Sequence, residues 1–177
     1  ERGPHDPTVR GLLAAYRDVR SGLGFATSAA EFGAFPTDPY SHTPRHSGAR
    51  QPGMTGQVKE DILSRFAELG LSVDGGRITL DPSLVDPGEW TTTPATFGYV
   101  DLTGDERTIE LPPRSLAFTF CQVPFIVDQD PDHAVRILAE DGSWLRVEGH
   151  TLDAALSREV FARTGRVAQI RVGRGRG

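Results

Sequence analysis

The sequence predicts an α+β protein, with helices in its N-terminal part and an antiparallel β-sandwich or jelly roll in its C-terminal part. Two observations support this prediction. Up to about Gly70 the apolar residues recur at helical spacing, whereas after it they alternate with polar residues in short runs between turn-forming residues. We therefore place a helical segment at residues 1–70 and a β-sandwich domain at residues 71–177.

Composition and charge narrow the class of protein. Of the 177 residues 37% are hydrophobic, so the chain has enough apolar side chains for a folded core. The formal net charge is −5, whereas a general nucleic-acid-binding surface would be basic, and no apolar run approaches the ~20 residues that cross a bilayer. We expect no nucleic-acid and no membrane partner. Cys121 is the only cysteine, and its alternating apolar neighbours predict a buried, unreactive thiol.

The N-terminal residues predict two helices before the most polar part of the chain. Asp6 and Pro7 are typical of a helix start, and Gly22 is typical of a helix end. Residues 28–31, Ser-Ala-Ala-Glu, fit a capping box and predict a short second helix at residues 28–32.

A third helix is predicted from Gln57 to Leu69, with Thr55 as its cap and Gly70 as the left-handed residue beyond its end. Its apolar residues form one stripe along the helix. These residues are Val58, Ile62, Leu63, Phe66 and Leu69.

The remaining residues predict short strands with turns at close intervals. The predicted strands are residues 77–80, 96–101, 107–111, 116–121, 123–127, 134–139, 144–147 and 167–172, with one helical turn at 156–162. Residues 140–143, Glu-Asp-Gly-Ser, are a strong hairpin signal. Pro124 predicts an edge strand or a bulge, because proline has no N–H for a sheet ladder.

The polar stretch at residues 38–56 is the candidate binding site. It carries two histidines and two arginines among glycines and prolines. Irregular polar segments of this length are costly to order, and ordered ones frequently carry function. The third predicted helix starts directly after it, and the unpaired N–H groups of a helix start favour anions and hydroxyl oxygens. The segment is therefore predicted to bind a polar ligand.

Hydrogen bonding to a sugar is favoured over metal ligation for this segment. Pro44 lies between His42 and His46, which disfavours a helix with both on one face, and no third ligand follows at a zinc-type spacing. Arg45 and Arg50 are suited to clamping a carboxylate or phosphate, with solvated loop residues as the alternative. We assign no metal and no cofactor.

Three carboxyl groups near the polar segment are candidates for chemistry, because glycoside cleavage normally needs two. Glu31 also fits as the partner in the capping box, and Glu60 also fits as a surface residue of the third helix. Asp38 precedes a turn-forming Pro39-Tyr40 pair and is our candidate for a catalytic carboxylate, with a structural role in the turn left open.

Two stretches resemble a known family. Residues 33–44, Gly-Ala-Phe-Pro-Thr-Asp-Pro-Tyr-Ser-His-Thr-Pro, and residues 51–60, Gln-Pro-Gly-Met-Thr-Gly-Gln-Val-Lys-Glu, resemble the closing helical hairpin of six-hairpin glycosidases. These are α/α-toroid carbohydrate-active enzymes, among them cellobiose-phosphorylase-like proteins. Residues 108–124 are similar to part of the β-domain that follows the toroid in that family.

The resemblance extends over residues 10–172 and implies that the chain is the C-terminal part of a glycoside hydrolase or related enzyme. It would hold the last helices of the toroid and lack the N-terminal helical domain of the same chain. The polar loop would line the sugar cleft, where Tyr40, His42, Arg45, His46, Arg50 and Gln51 would bind substrate. The principal acid of the family lies on an earlier helix, so no residue here inherits that role.

Two other functions stay open. In the first, the β-domain is a non-catalytic carbohydrate-binding module that binds through exposed aromatic side chains such as Trp90 or Trp144. In the second, the β-domain only caps and braces the helical domain, and the isolated chain would expose a large apolar surface.

Overall fold

A computed structural model describes residues 6–22, 55–128 and 134–173. Within these ranges the chain forms three α-helices and nine strands, which confirms the predicted α+β class. The chain divides into two compact units, Glu1–Arg65 and Phe66–Gly177, and every described strand belongs to the second. The helix predicted at residues 28–32 lies outside the described residues.

The first helix, α1, spans Pro7–Gly22 and begins and ends where the sequence predicts. Asp6 caps it, since its carboxylate accepts a hydrogen bond from the backbone N–H of Thr8 at 2.7 Å. None of the helices in the described part of the chain is both long and apolar enough to cross a membrane.

The helix α2 spans Thr55–Glu68 and begins two residues earlier than predicted, so Thr55 lies within the helix. Gly70 has φ +73°, as expected for the residue that ends a helix in the left-handed conformation. From Ile62 onward, where side-chain burial is described, the apolar stripe is covered toward the C-terminal end of the helix. Leu69 is buried and Phe66 packs against the core, whereas Leu63 is 66% exposed.

The strands follow the predicted order with small differences at their ends. They are β1 (Leu71–Asp74), β2 (Arg77–Leu80), β3 (Ala95–Val100), β4 (Glu106–Leu111), β5 (Leu116–Phe120), β6 (Val123–Asp128), β7 (Ala134–Ala139), β8 (Trp144–Glu148) and β9 (Val167–Gly173). A third helix, α3 (Ala154–Ala162), precedes β9 and is longer than the predicted helical turn.

Strand β1 was not among the predicted strands, and it forms a hairpin with β2 around Asp74-Gly75-Gly76. Strands β3 and β4 form a second hairpin, and the other five form one sheet in the order β5-β6-β9-β7-β8. Neighbouring strands of this sheet are antiparallel, except for the parallel pair β6 and β9. Strand β9 reaches its place between the β5–β6 and β7–β8 hairpins after the α3 crossover.

Pro124 lies in an interior strand of this sheet, not at the predicted sheet edge. It pairs with Thr119 beside the β5–β6 turn, while the pairing of β6 with β9 begins one residue later, at Phe125. Proline is tolerated at the start of a strand because no ladder hydrogen bond is required of it there.

One cluster of buried side chains joins α3, β2 and one face of the five-stranded sheet. Phe125, Ile137 and Ile170 come from the sheet, Ile78 from β2 and Val160 from α3. The buried hydroxyl of Ser157 accepts the N–H of Ile78 at 3.0 Å, which attaches the helix to the β1–β2 hairpin. This core positions the three connections described next.

Candidate functional site

The residues that the polar-segment hypothesis assigns to sugar binding or cleavage lie outside the described residues. They are Asp38, Tyr40, His42, Arg45, His46, Arg50 and Gln51, and the alternative carboxylate Glu31 lies there too. That these residues lie together at one sugar-binding site therefore stays a prediction. The structure does describe the helix that follows them, which begins at Thr55, directly after Met54.

The two tryptophans considered for sugar binding differ in exposure. Trp90 is only 8% exposed and belongs to the hydrophobic core, so its prediction as an exposed aromatic is wrong. The segment after Trp90 is held in place by a hydrogen bond from the backbone N–H of Thr91 to the carbonyl of Ser115 at 3.0 Å. Trp144 is 51% exposed on β8, a strand at the edge of the five-stranded sheet.

A cleft of about 210 Å³ opens where three connections of the β-rich unit meet. These are the β3–β4 turn (residues 101–105), the β5–β6 turn (residues 121–122) and the α3–β9 connection (residues 163–166). Val123, Pro124 and Val167 form its apolar floor and are buried, while Tyr99, Asp101, Thr103 and Gln122 add polar groups to its lining.

Asp101 holds the β3–β4 turn at one wall of this cleft. Its Oδ1 accepts hydrogen bonds from the Thr103 hydroxyl at 2.7 Å, the Thr103 N–H at 2.9 Å and the Asp105 N–H at 3.0 Å. Its Oδ2 accepts from Nε of Arg107 at 2.8 Å. The Thr103 hydroxyl and the Arg107 guanidinium together hold the pKa of Asp101 well below its usual range. A carboxylate bonded in this way stays ionised, so it is unsuited to act as a proton donor.

The low pKa of Asp101 predicts an acid-sensitive contribution to stability. A carboxyl group whose pKa is lower in the folded state stabilises the fold above its unfolded pKa of ~3.9, and that stabilisation fades as the pH falls toward the folded value. We expect Asp101→Asn to unfold at a lower urea concentration than the wild type at pH ~6. The difference between the two midpoints should shrink steadily below pH ~4, and a difference independent of pH would contradict this account.

The β5–β6 turn places Gln122 in the lining of the cleft, beside the β3–β4 turn. Cys121 and Gln122 have φ +51° and +63°, the left-handed values of a tight type I′ hairpin turn. Nε2 of Gln122 donates to the backbone carbonyl of Asp101 at 3.3 Å, and Nη1 of Arg163 donates to Oε1 of Gln122 at 3.3 Å. One side chain therefore links all three connections.

Cys121 was predicted to be a buried thiol at the end of a strand, and the structure corrects both its burial and its place. It is half-buried in the turn itself, where it packs against the core, because the apolar run is split between two strands. Gln122 was not identified as a site residue from the sequence, because Cys-Gln lacks the Asn-Gly or Asp-Gly signal that marks such turns.

The second face of the five-stranded sheet carries a row of arginines. Arg171, Arg136 and Arg146 stand side by side in register on β9, β7 and β8. The latter two have acidic neighbours, with Arg136 4.0 Å from Asp128 and Arg146 3.1 Å from Glu148. Much of the positive charge in this row is therefore balanced within the protein.

No protein-family model and no curated protein matches the sequence. Function is therefore inferred from the residues and their geometry. Across the described ranges, no three histidine, cysteine, aspartate or glutamate side chains are grouped as a metal site would require.

Proposed function

We propose that this chain is the C-terminal part of a glycoside hydrolase or a related carbohydrate-active enzyme, in which the polar segment 38–56 lines a sugar-binding cleft. The corresponding architecture is the end of an α/α toroid followed by a jelly-roll-like β-domain. The supporting observation is the start of α2 at Thr55, within the second of the two stretches that resemble the family's closing hairpin. The strand-rich unit then follows, in the order that the resemblance implies.

The chemistry of the proposal follows from the polar side chains and the helix start. His42, Arg45, His46, Arg50 and Gln51 bind sugar hydroxyls, and Tyr40 stacks on a ring or donates a hydrogen bond. The first N–H groups of a helix have no partner within the helix, so they attract oxygen atoms of a ligand. Asp38 is the candidate catalytic carboxylate.

The proposal is tested by changing two of these polar groups together. We expect the double variant His42→Ala/Gln51→Ala to bind oligosaccharides about 10-fold more weakly or worse by calorimetry, because each lost hydrogen bond contributes roughly 0.5–1.5 kcal/mol. A matched control carries His5→Ala and Gln129→Ala, the same changes outside the segment, and should keep wild-type affinity. Unchanged affinity in a correctly folded double variant removes the role proposed for the segment.

A second candidate is a non-catalytic carbohydrate-binding module, which the exposure of Trp144 on an edge strand favours. Exposed aromatic rings offer a flat apolar surface to the C–H face of a sugar ring. Since Trp90 is buried, quenching of tryptophan fluorescence by acrylamide reports mainly on Trp144. Protection from the quencher by sugar favours this module, whereas unprotected fluorescence with retained binding favours the polar segment.

A further inference from the structure

We infer that the cleft between the β3–β4, β5–β6 and α3–β9 connections is a second carbohydrate-binding position, which takes one neutral sugar ring. The inference rests on the proposed function for the class of ligand, but it concerns residues far along the sequence from the polar segment. Four independent features of the cleft support it: its backbone conformation, its loosely bonded amide, its size and its charge.

Non-glycine residues in the left-handed backbone conformation are concentrated at this cleft. Four non-glycine residues in the described part of the chain have positive φ, and three of them, Cys121, Gln122 and Arg163, belong to its connections. Each such residue costs roughly 1–2 kcal/mol that glycine would avoid. Strained residues of this kind cluster at ligand sites, where the side chain is needed in that place. Gln122 meets this description because it lines the cleft.

The amide of Gln122 is only loosely bonded within the protein. Its two hydrogen bonds, to the Asp101 carbonyl and from Arg163, are both 3.3 Å, beyond the usual range of 2.7–3.2 Å. A primary amide has two N–H donors and an oxygen with two lone pairs, so one donor and one lone pair are left for a ligand. This donor–acceptor pair complements the hydroxyl groups of a sugar.

The size and floor of the cleft fit a single ring. A cavity of ~150 Å³ accommodates benzene, whereas pockets for larger ligands start near 300 Å³. The cleft, at about 210 Å³, lies between the two. Its floor of Val123, Pro124 and Val167 suits the apolar C–H face of a ring. Tyr99 adds an aromatic side chain, and the described residues offer its hydroxyl no hydrogen-bond partner.

The carboxylates at the cleft are already bonded within the protein, which favours a neutral ligand over a cation. The carboxylate of Asp101 already accepts four hydrogen bonds, one of them from Arg107, so it is not available to a cation. The proton of the Thr103 hydroxyl is already directed to the carboxylates of Asp101 and Asp105, at 2.7 Å and 3.0 Å. The uncharged amide of Gln122 and the hydroxyl of Tyr99 are therefore the polar groups of the lining that are left for a ligand.

The test follows backbone amide signals of the whole 177-residue chain by NMR during titration with cellotetraose, maltotetraose and trigalacturonate. We expect one of the two neutral sugars to shift amide signals at residues 99–103, 121–123 and 165–168. Gln122→Gly should weaken that binding about 10-fold or more. Its unfolding midpoint should be equal to the wild type or higher, because glycine adopts φ +63° without strain.

Two further variants keep the result interpretable. Arg114→Gly relieves the one described left-handed non-glycine residue outside the cleft connections, where φ is +64°, and should leave sugar binding unchanged. Gln122→Asn keeps an amide on a residue that tolerates the left-handed conformation, but it shortens the reach by one methylene. It should bind with an affinity between those of the wild type and Gln122→Gly, even if the glycine variant proves unstable.

The inference is overturned if no sugar shifts the cleft signals, if Gln122→Gly binds as tightly as the wild type, or if trigalacturonate binds more tightly than both neutral sugars. His42→Ala/Gln51→Ala should leave the cleft signals responsive. If that variant loses oligosaccharide affinity while the cleft signals never respond, the proposed function stands and this inference fails. If the cleft signals respond and that variant binds oligosaccharide with wild-type affinity, this inference stands and the role proposed for the polar segment fails.

Discussion

Gly70→Ala is expected to destabilise the folded chain by about 3 kcal/mol or more. Gly70 ends α2 with φ +73°, and its carbonyl accepts the N–H of Asp81 at 2.9 Å, so the two backbones run close together. A Cβ at this position would overlap the carbonyl oxygen of Asp81. The clash is with backbone, so it is relieved only if the chain at Gly70 moves away from the residues that follow β2.

Gly75→Ala provides the matched control for this prediction. Gly75 also has positive φ, +52°, but a Cβ there would meet nothing within 4 Å. It should therefore cost only the left-handed strain, roughly 1–2 kcal/mol. Urea unfolding followed by circular dichroism measures both variants. Equal losses of unfolding free energy in the two variants would show that the close approach of Gly70 to Asp81 does not determine the cost of the substitution.

Phe125→Ala is expected to lower the free energy of unfolding by about 3–5 kcal/mol. Phe125 is 1% exposed at the centre of the core, where its ring stacks on Phe118 at 5.5 Å and meets Phe120 edge-on at 6.2 Å. The substitution removes a buried ring together with both aromatic contacts, and the rigid sheet is poorly able to close the resulting cavity.

Phe161→Ala is the control for the aromatic cluster. Phe161 also meets the ring of Phe120 edge-on at 6.2 Å, but it lies on the exposed part of α3. Its loss should cost less, about 1–2 kcal/mol, because the side chain is 37% exposed and its removal leaves no enclosed cavity. Urea midpoints measured at constant pH compare the two variants. A larger loss of stability at position 161 than at position 125 would show that the core is centred nearer to α3.

The local elements were predictable because their signals are local. Asp6 and Pro7 mark the start of α1, Gly70 marks the end of α2, and the Asp-Gly turn at residues 141–142 marks the β7–β8 hairpin. Each signal reflects the conformational preference of one or two residues, which the chain carries whatever its tertiary surroundings are.

The cleft was not predictable in this way. It joins residues 99–103 to Gln122 and to residues 165–168, three stretches with no shared sequence pattern. The burial of Trp90 and the placement of β9 between β6 and β7 likewise depend on contacts across tens of residues. Such contacts are chosen by the packing of the whole core, so side-chain type and periodicity alone do not identify them.

For this protein the sequence by itself determined most of the described helix and strand segments, most of their ends, and the polar stretch at residues 38–56 that motivates a carbohydrate-related function. Only the tertiary structure decided which strands are neighbours, which tryptophan is exposed, and that Gln122 links three connections around one cleft. The physical reason is that conformational preference acts between neighbours along the chain. Burial and side-chain hydrogen bonding act between residues that only folding brings together.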